Sequence, residues 1–169
     1  YKMLQQGDVL GVFQLSDQRD KVIEQKPETF EDLIAINALI RPGVGDWNEY
    51  IKLRTSGFDK SAVQPYMEAT CGLNVYQDQE VLLAQTYAGW DIAFSDKHIR
   101  KNKDIKNDHK LREQFISDTI SRGYDESTAT QIWNSIEEVV AGGYGFNRAH
   151  STSYAKLSYQ TAYLKYYYP

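Results

Sequence analysis

Residues 142–169 read GGYGFNRAHSTSYAKLSYQTAYLKYYYP, and this stretch sets the class of fold. Glycines at 142, 143 and 145 break whatever precedes them and let a backbone approach another molecule closely. Asn147, Arg148, His150, Ser151, Thr152 and Ser153 lead into a spacing that predicts a helix from about Ala149 towards Tyr168. Such a junction offers unpaired N–H groups and the positive end of a helix dipole to an anion. Arg148 and His150 add charged or titratable donors. A plain helix break with His150 as a local cap fits the same residues. Seven of the 13 tyrosines fall within 144–168. Tyr159, Tyr163 and Tyr166–Tyr167 lie near one helical face, a pattern that suits core packing, an exposed interface or base stacking.

Working outward, the rest of the chain also reads as helices. Asp17 is placed to cap a helix running towards Lys26, which Pro27 stops. Thr29 stands three residues before Asp32, as in a capping box, ahead of FEDLIAINALI with Phe30, Leu33, Ile34, Asn37 and Ala38 on one face. Pro42 forces Arg41 to the helix end, and Arg41-Pro42-Gly43 is a turn with a cation at its edge. Helices are predicted over 46–57, from Val75 to Ala88, from about Leu111 to Gly123, and after a cap at Asp125. The helix after Asp125 has an apolar face of Ala129, Ile132, Trp133, Ile136, Val139 and Val140. The strand signal is confined to GVFQLS (11–16), which reads as a short strand or a tight turn. The expected fold is mainly α, a compact multi-helix domain over residues 1–169 with at most a short strand or hairpin near the N-terminus.

Composition excludes several classes. The 169 residues are 41% hydrophobic and 25% charged, unlike a disordered or fibrous chain. No apolar run is long enough to span a bilayer, so no membrane partner is expected. The chain opens on Tyr1 with no signal-peptide pattern, which suggests a piece of a longer or processed product. Cys71 is the only cysteine, so an internal disulfide or thiolate zinc site is excluded and a reducing, cytoplasmic compartment is expected. His98, His109 and His150 show no metal-ligand period. Neither GxSxG, nor GxGxxG after a strand, nor GxxxxGK[ST] occurs. Glu31-Asp32 and Glu137-Glu138 are helical neighbours on different faces, not a strand-borne Asp-x-Asp, so no metal-binding residue is assigned.

Charge is informative by position. The net charge is −4, which argues against a general nucleic-acid coat. Residues 97–112, KHIRKNKDIKNDHKLR, nonetheless hold seven Lys/Arg against two Asp. A basic segment in an acidic chain reads as an anion site or as a solvated helix face.

Taken together, the motifs resemble the fingers region of family C bacterial replicative DNA polymerases, the alpha subunit of DNA polymerase III. Gly11-Val12-Phe13-Gln14-Leu15 is similar to that family's GVFQLE. Phe30 to Ala35 and Ala38 to Gly43 resemble FEDxIAxxALxRPG. Tyr76-Gln77-Asp78-Gln79 resembles YQEQ, Gly143 to Ser151 resembles GYGFNKSHS, and Ser158 to Lys165 with Tyr168-Pro169 resembles SYQTAWLKxxYP. These motifs run in the family's order through nearly the whole chain. Two departures stand out: Val44 replaces the last proline of RPGP, and Asn102-Lys103-Asp104 lacks the glycine of LRRAMGKK. They suit a divergent or phage-encoded member and bear on the shape of that basic loop.

The resemblance implies a binding half of a polymerase active site. It implies that the fingers bind the incoming deoxynucleoside triphosphate and the end of primer-template DNA. Catalytic Mg²⁺ would be held by carboxylates of a palm domain outside this chain, so the chain alone would be inactive. The implied partners are dNTP, primer-template DNA, the palm and thumb, and a sliding clamp. Arg100 and Lys101 would neutralise the triphosphate, with Arg41 and Arg54 as further phosphate ligands. His150 and Ser151 would donate to phosphate oxygens, and His150 would also protonate the leaving pyrophosphate as the one catalytic candidate. Tyr144, Phe146 or Tyr154 would pack near the nascent base pair, while Asn147 and Arg148 hold the loop or the nucleotide. On this reading the cationic stretch and the glycine bend converge on the polyphosphate. A stand-alone, non-catalytic helical module that binds nucleotide, nucleic acid or a replication partner is the alternative.

Overall fold

The computed structural model describes residues 1–41, 43–142 and 145–168. Among them the chain is helical, with no strand. It forms two compact units: Tyr1–Leu73 with Phe146–Pro169, and Asn74–Gly145.

In the first unit, short helices α1 (Lys2–Gln5) and α2 (Arg19–Gln25) pack together. GVFQLS is a tight turn rather than a strand. The Leu15 and Ser16 amides both donate to the Val12 carbonyl, and Val12 and Leu15, three apart, are fully buried. Helix α2 departs from its predicted start. Its N-cap is Gln18, without a side-chain bond, and Asp17 is not the cap. The predicted capping box opens α3 (Phe30–Leu39): the Asp32 amide donates to Thr29 Oγ1, while Asp32 Oδ2 accepts from the Glu28 and Thr29 amides. Every residue of α3 from Asp32 to Leu39 is buried, so its continuous apolar run is a core helix.

Helix α4 (Trp47–Ser56) starts at Asp46, whose Oδ1 accepts from the Asn48 and Glu49 amides. Two 3₁₀ turns, Lys60–Ala62 and Pro65–Thr70, complete this part of the unit. After the second unit the chain returns as the last helix, Arg148–Tyr167, which packs on α3. The seat of that helix is narrow: Ser151, Ala155, Ser158 and Ala162 are its buried residues. Small side chains at this spacing let two backbones approach. Three hydroxyls fasten the seat. Ser151 Oγ donates to the Ile34 carbonyl at 2.6 Å, Ser158 Oγ to the Phe13 carbonyl at 2.9 Å, and Thr161 Oγ1 accepts from the Phe13 amide at 2.9 Å. The tyrosines therefore face outward: Tyr159 to Tyr168 are 42–75% exposed at positions 159, 163, 166, 167 and 168.

The second unit is built from α5 (Gln77–Ala88), α6 (Ile92–Ser95) running into a π-turn (Asp96–Arg100), α7 (His109–Ser121) and α8 (Glu126–Gly142). The final helix of the chain is accordingly α9. Gln79 starts α5 by accepting the Val75 and Tyr76 amides, and Asp125 caps α8 by accepting from the Thr128 amide. Trp133, Phe115, Ile136 and Ile99 are fully buried, and the rings of Trp90, Phe115 and Trp133 meet in series at 5.5 and 5.3 Å. Both indole N–H groups are satisfied, by Asp118 and Glu137.

Candidate functional site

The first unit gathers several sequence-predicted residues around Arg41. Asn147 caps α9, its Oδ1 accepting from the His150 amide at 3.1 Å. That cap sets His150 on the first turn. Arg41 lies beyond the end of α3, where the Val44 amide donates to its carbonyl, a bond that a proline at 44 would lack. Its guanidinium carbon sits 5.1 Å from the Phe146 ring centre and 5.5 Å from that of Tyr154, with Nη2 3.4 Å from His150 Nε2. His150 and Tyr154 rings are 4.2 Å apart, and Tyr154 packs on Phe13. A cleft of ≈ 400 Å³ lies beside Arg41, lined also by Gln14, Ser16, Asp17, Gln18 and Ile40. Arg41 and His150 are exposed, so this corner presents an aromatic-braced cation to solvent.

Other predicted residues of this unit are engaged structurally. Arg148 pairs with Glu31 at 2.8 Å. Ser151 is 1% exposed and spends its hydroxyl on α3. Arg54, half-buried, makes three bonds: Nη1 donates to Asp32 at 2.7 Å, Nε to the Gln25 carbonyl at 2.8 Å, and Nη2 to the Lys26 carbonyl at 3.3 Å. Burial opposes the charge on Asp32, but bonds from the Glu28 amide, Arg54 and the Thr29 amide outweigh it and hold the carboxyl below its usual range. Burial lifts the neighbouring Tyr50 phenol to about 12. Tyr144 lies outside the described residues.

Arg100 and Lys101 belong to the second unit, at the end of the π-turn. Both pair with one carboxylate, Asp96, Lys101 Nζ at 2.5 Å. Hydrogen bonds from Arg100 and then Lys101 draw the Asp96 pKa down to about 2. Where the family's glycine is missing, Asn102 fixes the loop with its side chain. Nδ2 donates to Asp108 and Oδ1 accepts from the Asp104 amide, while Ile105 is buried below. Sequence reasoning missed Asp96, although its four-residue spacing to Arg100 was readable.

It also missed Glu80, on α5, which is 2% exposed with Oε1 buried and without a hydrogen-bond partner. Burial raises its pKa to about 8, against the attraction of Arg100 and with a small push from Asp78. Gly145 packs on the same carboxyl. A Cβ there would strike Glu80 Oε1 and come within 2.9 Å of Gln77 Cγ and 3.3 Å of Gln77 Cα. Thus one end of the glycine segment and the cationic turn both neighbour Glu80.

Comparison with known proteins names the family. A family model described as the bacterial DNA polymerase III alpha subunit finger domain matches residues 1–123. DNA polymerase III subunit alpha of Rickettsia conorii is 38% identical, that of Campylobacter jejuni 36% and that of Aquifex aeolicus 35%, each over all of this chain. The chain belongs to the bacterial DNA polymerase III alpha subunit family, in its finger region. It spans about 15% of the length of each of these relatives.

Proposed function

We propose that the chain is the nucleotide- and template-binding fingers of a DNA-directed DNA polymerase that replicates DNA. The observation that carries the reading is the pair Arg100–Lys101, two cations on one turn inside a chain of negative net charge. A polyphosphate needs this kind of concentrated positive charge. Family membership supports the reading independently. Arg41, held between two aromatic rings beside His150, is a second anion- and base-binding corner.

On this proposal the chain's own residues bind and orient. Arg100 and Lys101 bind the triphosphate, Arg41 a further phosphate, and Phe146 and Tyr154 pack near the nascent base pair. His150 would protonate the leaving pyrophosphate. Among the described residues no group of three His, Cys, Asp or Glu is placed to hold a metal ion. Magnesium, which would stabilise the attacking and leaving oxygens, is assigned to carboxylates elsewhere in the longer protein. The remaining polymerase and primer-template DNA are the partners, and a sliding clamp is proposed for the complete protein.

Primer extension by the complete polypeptide, beside the 169-residue chain alone, tests the assignment; extension is expected from the former only. In the complete polypeptide Arg100→Ala should raise the dNTP KM or lower kcat by about ten- to a hundredfold, since a charge-assisted contact is worth about 1.5–3 kcal/mol. Unchanged incorporation kinetics would remove Arg100 from the site. A pH–rate profile shared by wild type and His150→Gln would exclude proton transfer by His150.

A further inference from the structure

We propose that Asp96 is a resident counter-ion, which holds Arg100 and Lys101 together and which the phosphates of a nucleotide must displace. The inference rests on the reading of those two cations as triphosphate ligands. Its geometric basis is the π-turn. In an α-helix the fourth residue on lies over the first, and the fifth points away. Here the Lys101 amide donates to the Asp96 carbonyl at 3.1 Å, an i→i+5 closure, so residues four and five along straddle Asp96. One carboxylate therefore takes both cations.

The arrangement is accessible to ligand. The side chains of Arg100 and Lys101 are 35% and 63% exposed. Glu80, the other acid acting on Arg100, is held largely protonated at neutral pH by its burial and adds little charge. Asp78 acts on Glu80 from the same helix. Asp96, by contrast, stays ionised throughout the neutral range. Two cations and one carboxylate leave a single net positive charge. A singly charged anion competes with Asp96 on equal terms. A triphosphate brings several charges to the same pair and wins. Asp96 thereby sets a charge that any anion must displace and keeps the two cations ordered before ligand arrives.

The test compares wild type, Asp96→Asn, Asp96→Glu and Arg100→Ala in the complete polypeptide. Titration calorimetry with inorganic triphosphate and with inorganic phosphate is run at low and high salt, alongside the dNTP KM. Asp96→Asn should tighten inorganic triphosphate about three- to tenfold at low salt and tighten inorganic phosphate by at least as much. The gain should shrink as salt screens the site, and Asp96→Glu should bind as wild type does. Unchanged or weaker triphosphate binding by Asp96→Asn, with Arg100→Ala weakening it tenfold or more, overturns the counter-ion role and leaves the phosphate site standing. An Arg100→Ala variant that binds as wild type overturns both. A thermal melt of each variant matching wild type ties these readings to the site rather than to folding.

Discussion

Glu80→Gln is expected to flatten the pH dependence of stability between pH 5.5 and 8. Glu80 is buried with one oxygen unpartnered, and its pKa stands near 8 against an ordinary 4.5. A carboxyl raised on folding binds its proton more tightly in the native state. Its contribution is therefore complete below about pH 4.5 and is lost as pH rises through 8. Between those values the native protein carries one more proton than the unfolded chain, so stability falls by about 1.4 kcal/mol per pH unit. From pH 5.5 to 7.5 that amounts to about 2–3 kcal/mol, a large share of a typical domain's total. Gln keeps the size of the protonated acid and cannot titrate. Urea unfolding of the 169-residue chain at half-unit pH steps, with wild type and variant side by side, reads the difference directly. Wild type should lose stability relative to Glu80→Gln steadily and level off above pH 8. Parallel curves would refute the claim that Glu80 is a buried neutral acid in the folded chain.

Three further outcomes follow from the packing. Arg54→Ala should cost about 2–3 kcal/mol by stranding Asp32 and two carbonyls. Because Asp32 is held below its ordinary pKa, its contribution is present above pH 3.8 and lost on acidification; acid-unfolding curves of the variant should shift to higher pH. Gly145→Ala should destabilise by about 1–3 kcal/mol in a chemical melt, because the added carbon meets Glu80 and the Gln77 backbone. Ala155→Leu should cost at least about 1–3 kcal/mol by overfilling the α3–α9 seat, whereas Tyr163→Ser should stay within about 0.5 kcal/mol in the same assay.

Most helices were legible because their signals are local. Thr29 and Asp32 made the expected capping box, Asp125 the expected cap, and Gly89 the expected stop. Where the sequence left alternatives open, tertiary context decided between them. GVFQLS looks alternating, but Val12 and Leu15 are the buried pair and the main chain closes on itself instead of pairing with a strand. The tyrosines of α9 carry its obvious periodicity, yet hydroxyls and methyl groups form its buried face; no hydrophobic pattern marks a seat made of Ser151, Ala155, Ser158 and Ala162. At the candidate site, the motif residues pointed to Arg41, Arg100 and His150 by residue type. Their partners were hidden: the sharing of Asp96 with Lys101 because a π-turn cannot be read from spacing, and Glu80 because nothing along the chain shows that its oxygen is sealed.

The first unit is interrupted in sequence: it stops at Leu73 and resumes only at Phe146. Its central helix pair, α3 with α9, joins residues more than a hundred positions apart, as in the Ser151–Ile34 bond. During synthesis the intervening unit emerges whole and has time to fold before α9 exists. Until then α3, whose residues from Asp32 to Leu39 are all buried in the finished unit, has no α9 to cover it. Closure of so long a loop is slow, and an exposed apolar helix invites aggregation meanwhile. Shortening or swapping the inserted unit should thus alter how fast the surrounding one matures while leaving the finished helix pair unchanged.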